Sequence, residues 1–272
     1  MGAFSQKHFN NFLLDSGAII FSEEQKPLKS KRLSNFYINM RTILEDVYLT
    51  SSLVDFTIEF VQDLGLRPRS FYAVPEGATK LGIILQYTWA KMQEDWMRPG
   101  SYALSMGRGK SKAHGEEKDR EFLGKPTGFT IVVEDATTSG TSLFNEVGKL
   151  RQNNVNVGAV IAVADRKELT PIPNIDDSEI VEEFKKIYKR FTNKEYTRAM
   201  GVADVLKDIG IPYYSMTDSF QIFELAKNRL QLSLSVMDAV EEEFARVSVR
   251  SKLYQGIMRD TTSLEKQKIK PA

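Results

Sequence analysis

Apolar residues along most of the chain recur at helical spacing, then at strand spacing, and the two periods alternate. Phe9, Phe12 and Leu13 share one face of a helix predicted over residues 5–16, with Gly17 as its stop. Leu53, Phe56, Phe60, Val61 and Leu64 mark a second helix that starts near Ser51 and ends at Gly65. Residues 71–74 form a short buried-strand pattern broken by Pro75-Glu76-Gly77, and the helix after it turns Leu81, Ile84, Leu85, Thr88 and Trp89 inward. Residues 102–106 and 130–133 read as further strands; Leu143, Val147 and Leu150 define a helix, and residues 157–163 the strand after it. A helix over 197–208 stopping at Gly210, a last strand over 213–216, and a tail beyond Gln231 that is helical to about Val249 complete the pattern. This alternation predicts an α/β fold with a mainly parallel sheet.

Two stretches depart from it. Residues 107–128 are polar and without periodicity, yet hold Arg108, Lys110, Lys112, His114, Lys118, Arg120 and Lys125. A loop of that length inside a compact domain usually serves as a lid or binding loop. Residues 170–195 carry their own helix, with Ile180, Val181, Phe184, Ile187, Tyr188 and Phe191 in one apolar stripe available for an oligomer contact.

Composition narrows the chemistry. The 272 residues are 42% hydrophobic and 27% charged, as in a globular protein with a real core, and the net charge of +1 lacks the basic excess of a nucleic-acid binder. No apolar run approaches the roughly 20 residues of a membrane span. The first residues show no export pattern, so a cytoplasmic location is expected. There is no cysteine, which excludes disulfides, thiolate catalysis and thiolate-bound metal, and only His8 and His114 are available for imidazole chemistry.

The segment 130–142, TIVVEDATTSGTS, carries the most chemistry. Strand residues end in Glu134 and Asp135; Ala136 and Thr137 lead to a hydroxyl-rich run with one glycine, and a helix begins. Free backbone amides at a helix N-terminus attract an anion, so Thr138, Ser139, Gly140, Thr141 and Ser142 suit a phosphate. The acid pair suits vicinal hydroxyls, because each carboxylate accepts two hydrogen bonds. Phosphate plus diol describes ribose 5-phosphate. Neither GxxxxGK[ST] nor GxGxxG is present, which disfavours a nucleoside triphosphatase or a dinucleotide enzyme. The plainer alternative is a solvated strand end followed by a capping turn.

VVEDATTSGTS resembles the signature of type I phosphoribosyltransferases, which use phosphoribosyl pyrophosphate. Three other segments resemble the orotate phosphoribosyltransferase family: LKSKRLSNFYIN from Leu28, Arg108 with Lys112-Ala113-His114-Gly115, and Ala164-Asp165-Arg166. The resemblance implies a Rossmann-like phosphoribosyltransferase core over residues 1–230, under a small N-terminal hood of about 1–45. The helical insertion at 170–195 and a helical extension at 231–272 are additions to it. It further implies transfer of phosphoribose to orotate with Mg²⁺, in a homodimer whose 107–128 loop reaches the neighbouring active site.

On this reading Lys29, Glu134, Asp135, Ala136, Thr137 and 138–142 bind phosphoribosyl pyrophosphate, with the turn Glu76, Gly77 and Ala78 on its pyrophosphate. Arg108, Lys112 and His114 close over that group. Phe36, Tyr37, Thr138 and Arg166 receive orotate, Arg166 because a guanidinium pairs with a carboxylate through two bonds. Core packing is the better account of one of Phe36 and Tyr37, since strand neighbours face opposite sides. The metal is held mostly by substrate oxygens, with Glu134 or Asp135 as the protein's contribution. Lys31 replaces a small residue in a turn, where little consequence is expected. Gly109 and Ala78 stand where the family often has lysines, with Lys110 and Lys80 close by. A phosphoribosyltransferase for another base and a non-catalytic regulator that binds the sugar are the alternatives.

Overall fold

The computed structural model describes residues 2–108, 121–252 and 255. Helix α1 (Gln6–Asp15) is capped by Ser5, whose hydroxyl accepts from the His8 amide. Strands β1 (Ile19–Pro27) and β2 (Leu33–Ile38) form an antiparallel hairpin, the hood. A short α2 (Arg41–Leu44) precedes α3 (Val47–Asp63), which Asp46 caps, so this helix starts four residues before the expected Ser51. The core then runs β3 (Ser70–Ala73), α4 (Thr79–Lys91), β4 (Met106–Gly107), β5 (Phe122–Leu123), β6 (Thr130–Thr137), α5 (Thr141–Gln152) and β7 (Val157–Asp165). After it come α6 (Ser178–Thr192), α7 (Val202–Lys207), β8 (Tyr213–Ser215), α8 (Ser219–Arg229) and α9 (Leu234–Val247).

The central sheet is parallel, in the order β3-β6-β7-β8. Alternate residues feed two cores, because successive side chains leave a strand on opposite faces. Phe71, Ile131, Val133, Ala159, Ile161 and Val163 pack with the hood, α1, α3, α4, α8 and α9. Tyr72, Val132 and Val160 face α5, α6 and α7. Both faces are covered, as parallel sheets require. No helix among the described residues is long and apolar enough to cross a membrane.

Several expectations change. Within 102–106 only Met106 joins a strand; Tyr102 instead lies under Arg69, 4.1 Å from its ring centroid, and donates to Asp95 at 3.0 Å. Ile84 is exposed and Thr88 only half-buried, so the inward face of α4 is Leu81, Leu85 and Trp89. The helix expected over 197–208 shrinks to Val202–Lys207. The stripe on α6 is spent inside the chain: Phe184 and Phe191 lie 5.7 and 5.3 Å from Phe144 on α5, and Tyr196 lies 4.8 Å from Phe184. It buttresses α5.

The segment after Gln231 is fastened to the hood. Phe244 on α9 meets Phe36, Phe220 and Phe223 edge-on at 6.4, 5.0 and 5.7 Å. At the end of α9 and just past it, the Leu169 amide donates to the Val247 carbonyl at 2.8 Å and the Val249 amide to the Lys167 carbonyl at 3.0 Å. These bonds tie the tail to the residues that follow β7.

Candidate active site

Strand β6 outruns its apolar stretch, pairing with β7 through Ala136 opposite Ala164 and Thr137 opposite Asp165. Glu134 and Asp135 therefore sit on the strand itself, and the loop Thr138–Gly140 turns from it into α5. Gly140 makes that turn at φ 79°, a left-handed conformation that side chains disfavour. A Cβ there would stand 2.7 Å from the Phe144 ring and 2.9 Å from Val202. The first amides of α5 have no intrahelical acceptor and suit an anion, with the helix dipole behind them. Ser139 and Thr141 hydroxyls lie 3.3 Å apart at its mouth, with Thr138 half-buried beside them. Lys29, from the hood turn, reaches across to donate to the Ser142 hydroxyl at 2.6 Å. Hood and loop thus put a cation and a ring of donors in one place.

The two acids differ. Glu134 is buried and accepts from the Thr137 hydroxyl at 2.7 Å. Burial first, and then the neighbouring Asp135, push its carboxyl up to about 8 against that bond. Asp135 is half-exposed and also raised by burial, partly offset by the Ala136 amide, Arg41 and Lys29. Gly77 presses on it so closely that a Cβ would enter the Asp135 carboxylate, which brings the Pro75–Ala78 turn against the acid pair. The Pro75–Glu76 peptide is cis. Glu76 is exposed, whereas Ala78 is fully buried at the head of α4 and leaves no room for a lysine. Lys80 donates to the Leu44 carbonyl at 3.2 Å.

Among the described residues no group of three or more His, Asp and Glu could hold a metal. The adjacent Glu134 and Asp135 at the strand end fit a Mg²⁺ that arrives largely ligated by substrate oxygens and needs one or two carboxylates.

Lys112 and His114, with Gly109, Lys110 and Gly115, lie outside the described residues. Both ends of their loop are fixed. Met106–Gly107 pairs with Phe122–Leu123, and the Arg108 amide donates to the Glu121 carbonyl at 3.1 Å. Lys149 of α5 donates to the Arg108 carbonyl at 3.2 Å and to Glu146 at 3.0 Å, and lies 3.6 Å from Glu121. Tyr72 donates to Glu146 at 2.6 Å; burial and that carboxylate push its hydroxyl far above the usual value. The loop's roots are thereby bolted to α5.

The structure separates Phe36 from Tyr37. Phe36 is fully buried, stacked on Phe21 at 5.0 Å, with the Arg166 guanidinium 4.9 Å from its ring centroid. Its faces are taken by the protein, so Phe36 is core and offers no stacking surface. Tyr37 points the other way. Its hydroxyl is buried without a hydrogen-bond partner, and it feels the charges of Arg166 and Glu243.

Arg166 stands where β7 leaves the sheet, its amide bonded to the Thr137 carbonyl at 2.9 Å. Its side chain is buried: Nε donates to Glu168 at 2.6 Å, Nη1 to the Phe36 carbonyl at 2.6 Å, and Nη2 to Ser34 at 3.0 Å and Glu243 at 2.7 Å. Glu168 is shared with Arg32 at 3.0 Å, and Arg32 also grips Asp176 at 2.6 Å. Burial works against Glu168, yet Arg166 and Arg32 hold it below the usual carboxylate range. For Glu243 burial wins over Arg166, and the carboxyl is raised. Lys31 is less idle than expected: it adopts φ 61° and pairs with Asp177 at 3.1 Å and Glu179 at 3.5 Å, docking the hood turn on the first turn of α6.

Glu243, Glu168, Arg32 and Ser34 are the residues that sequence reading missed. Only the closeness of Arg166 and Glu168 in sequence was a local cue. A groove between α5 and α6, lined by Phe144, Asn145, Lys149, Ile187 and Arg190, contains none of the expected site residues. The described residues expected to bind phosphate and diol lie instead at the carboxyl end of the sheet, where open α/β sheets bind ligands.

A parallel α/β core, an acid pair on its second strand and a glycine-pivoted loop entering a helix define a type I phosphoribosyltransferase. No family model matches the chain. It is 30% identical over 155 residues to the orotate phosphoribosyltransferase of a Bradyrhizobium species, covering 54% of this chain and 78% of that protein. It is 32% identical over 142 residues to that of Aeropyrum pernix, covering 52% and 69%. The crystal structure of orotate phosphoribosyltransferase from Francisella tularensis superposes with a TM-score of 0.57 at 16% identity, over 89% of this chain and 99% of that one, a likeness of fold. The chain belongs to the orotate phosphoribosyltransferase family.

Proposed function

We propose that this protein transfers the 5-phosphoribosyl group from phosphoribosyl pyrophosphate to orotate, giving orotidine 5′-monophosphate and pyrophosphate. The observation that carries the reading is the convergence of Lys29, the Gly140 loop and the Glu134–Asp135 pair at the end of β6. The C1–O bond to pyrophosphate breaks, orotate nitrogen bonds to C1, and the base nitrogen loses its proton. Positive charge gathers on the ribose and negative charge on pyrophosphate, so fixed electrostatics and water exclusion matter more than a nucleophile. Loop amides and hydroxyls of 138–142 seat the 5-phosphate, and Asp135 and Glu134 hold the ribose hydroxyls. Asp135, or Glu134 once deprotonated, would hold Mg²⁺, which when bound offsets the charge of pyrophosphate. Arg108, Lys112 and His114 are assigned to pyrophosphate from the loop, and the amides of the Pro75–Ala78 turn to its other side. Arg166 and Tyr37 face the base. The reading extends to a homodimer in which residues 107–128 serve the partner's site.

Loss of orotate absorbance on adding phosphoribosyl pyrophosphate and Mg²⁺ tests this. A protein that binds the sugar without consuming orotate would overturn it. Within the same assay, Lys29→Met removes a charge-assisted bond worth about 1.5–3 kcal/mol. The KM for phosphoribosyl pyrophosphate should rise about tenfold, with melting unchanged because Lys29 is exposed. An unchanged KM would remove Lys29 from the sugar site.

A further inference from the structure

A guanidinium has five N–H donors. At Arg166 four are committed: one to Glu168, one to the Phe36 carbonyl, and two from Nη2 to Ser34 and Glu243. A substrate carboxylate paired through two bonds needs two. One present partner must therefore withdraw before an anionic base can be held.

The partners are not equal. The Phe36 carbonyl is backbone of β2. Glu168 is clasped from its other side by Arg32 and is held ionised. Among the described residues Glu243 has no second cation. Its other contacts are the Ser34 hydroxyl, at 3.0 and 2.8 Å, and the Asn35 amide. A cation, a hydroxyl and an amide around one carboxylate are the donors a free carboxylate would need, and the Tyr37 hydroxyl, buried without a hydrogen-bond partner, feels the charges of Arg166 and Glu243. Glu243 is delivered by α9, which Phe244 and the Val247 and Val249 backbone bonds fix against the hood and the residues after β7.

We propose that Glu243 is a specificity-determining residue of the base subsite: it occupies the carboxylate seat on Arg166, and an anionic pyrimidine enters by displacing it. The inference rests on the orotate reading above. Selectivity then arises from competition between two carboxylates for one fork. Apparent affinity for the base falls by the fraction of molecules in which the seat is open. A neutral pyrimidine such as uracil has nothing to gain from the exchange.

The test is steady-state kinetics of the full-length protein and Glu243→Gln, with orotate and with uracil as bases. The glutamine side chain keeps the shape and loses the charge, and Arg166 keeps Glu168 as its counter-ion. The KM for orotate should fall about tenfold, as for a seat open one time in ten. The KM for phosphoribosyl pyrophosphate should hold, and the orotate-to-uracil ratio of kcat/KM should rise by a similar factor. Glu243→Asp, whose carboxylate is withdrawn by one methylene, should fall between the two and serves if the glutamine variant does not fold. Glu241→Gln, on the exposed pair with Lys227, is the control on the same helix. An orotate KM unchanged in both Glu243 variants, with melting lowered, would make Glu243 structural and overturn the proposal. If neither the wild type nor the variants consume orotate while all bind the sugar, the orotate reading itself falls, a result distinct from an unchanged KM. If only the variants consume it, the seat is confirmed.

Discussion

Arg166→Met is expected to cut kcat/KM for orotate by about a thousandfold, because a base carboxylate then meets no fixed cation in a buried site. It should also destabilise the fold. Glu168 and Glu243 are 3% and 6% exposed and share Arg166 between them. Removing one partner of a buried ion pair costs roughly 3–5 kcal/mol, since a charge is left without compensation. For a chain of this size that lowers the melting temperature by roughly 10 °C. Arg32 still clasps Glu168, so the larger part falls on Glu243, which will take up a proton. The double variant Arg166→Met, Glu243→Met separates the two effects. It removes the orphaned carboxylate and should recover most of the stability, as apolar replacement of buried pairs commonly does, but none of the orotate activity. Single-variant activity within about threefold of the wild type would take the base off Arg166.

What was legible from sequence is what is local. The stretch from Thr130 to Ser142 states its chemistry in consecutive residues, and the structure adds the left-handed Gly140 and the extension of β6 beneath the acids. The apolar face of α6 was likewise visible, but not its destination, because nothing in Phe184 or Phe191 says that Phe144 waits opposite. Strand β1 escaped altogether: its middle reads Ser-Glu-Glu-Gln-Lys and is largely exposed, so no period of two marks it. Only pairing with β2 makes it a strand.

The ion-pair network at the base end escaped for a different reason. Arg32 meets Glu168 across 136 positions, and Glu243 meets Ser34 across 209 and Arg166 across 77. Glu243 belongs to the run Glu241-Glu242-Glu243, which reads as a solvated helix face, and two of the three are exposed. Geometry singles out the third. Arg166 could be assigned to a carboxylate from its chemistry, but which carboxylate holds it in the resting protein is a property of the fold.

Gly140→Ala should disable the loop between β6 and α5. The left-handed backbone costs an alanine about 1–2 kcal/mol. The new methyl also meets Phe144 at 2.7 Å and Val202 at 2.9 Å, both buried and packed, so neither can retreat. Relief must come from the loop, which moves the amides that hold the 5-phosphate. A shift of about 1 Å in a positioned group costs on the order of a hundredfold in rate, and several donors move together here. We expect kcat/KM for phosphoribosyl pyrophosphate to fall about a thousandfold and stability by about 2–3 kcal/mol. Gly148, two turns further along α5, gives the comparison: its nearest neighbour to a new Cβ is Phe191 at 3.8 Å, and its φ is helical. Gly148→Ala should leave activity intact and raise stability by about 0.5–1 kcal/mol through helix propensity. Equal behaviour of the two variants would mean that the Gly140 turn does not seat the phosphate.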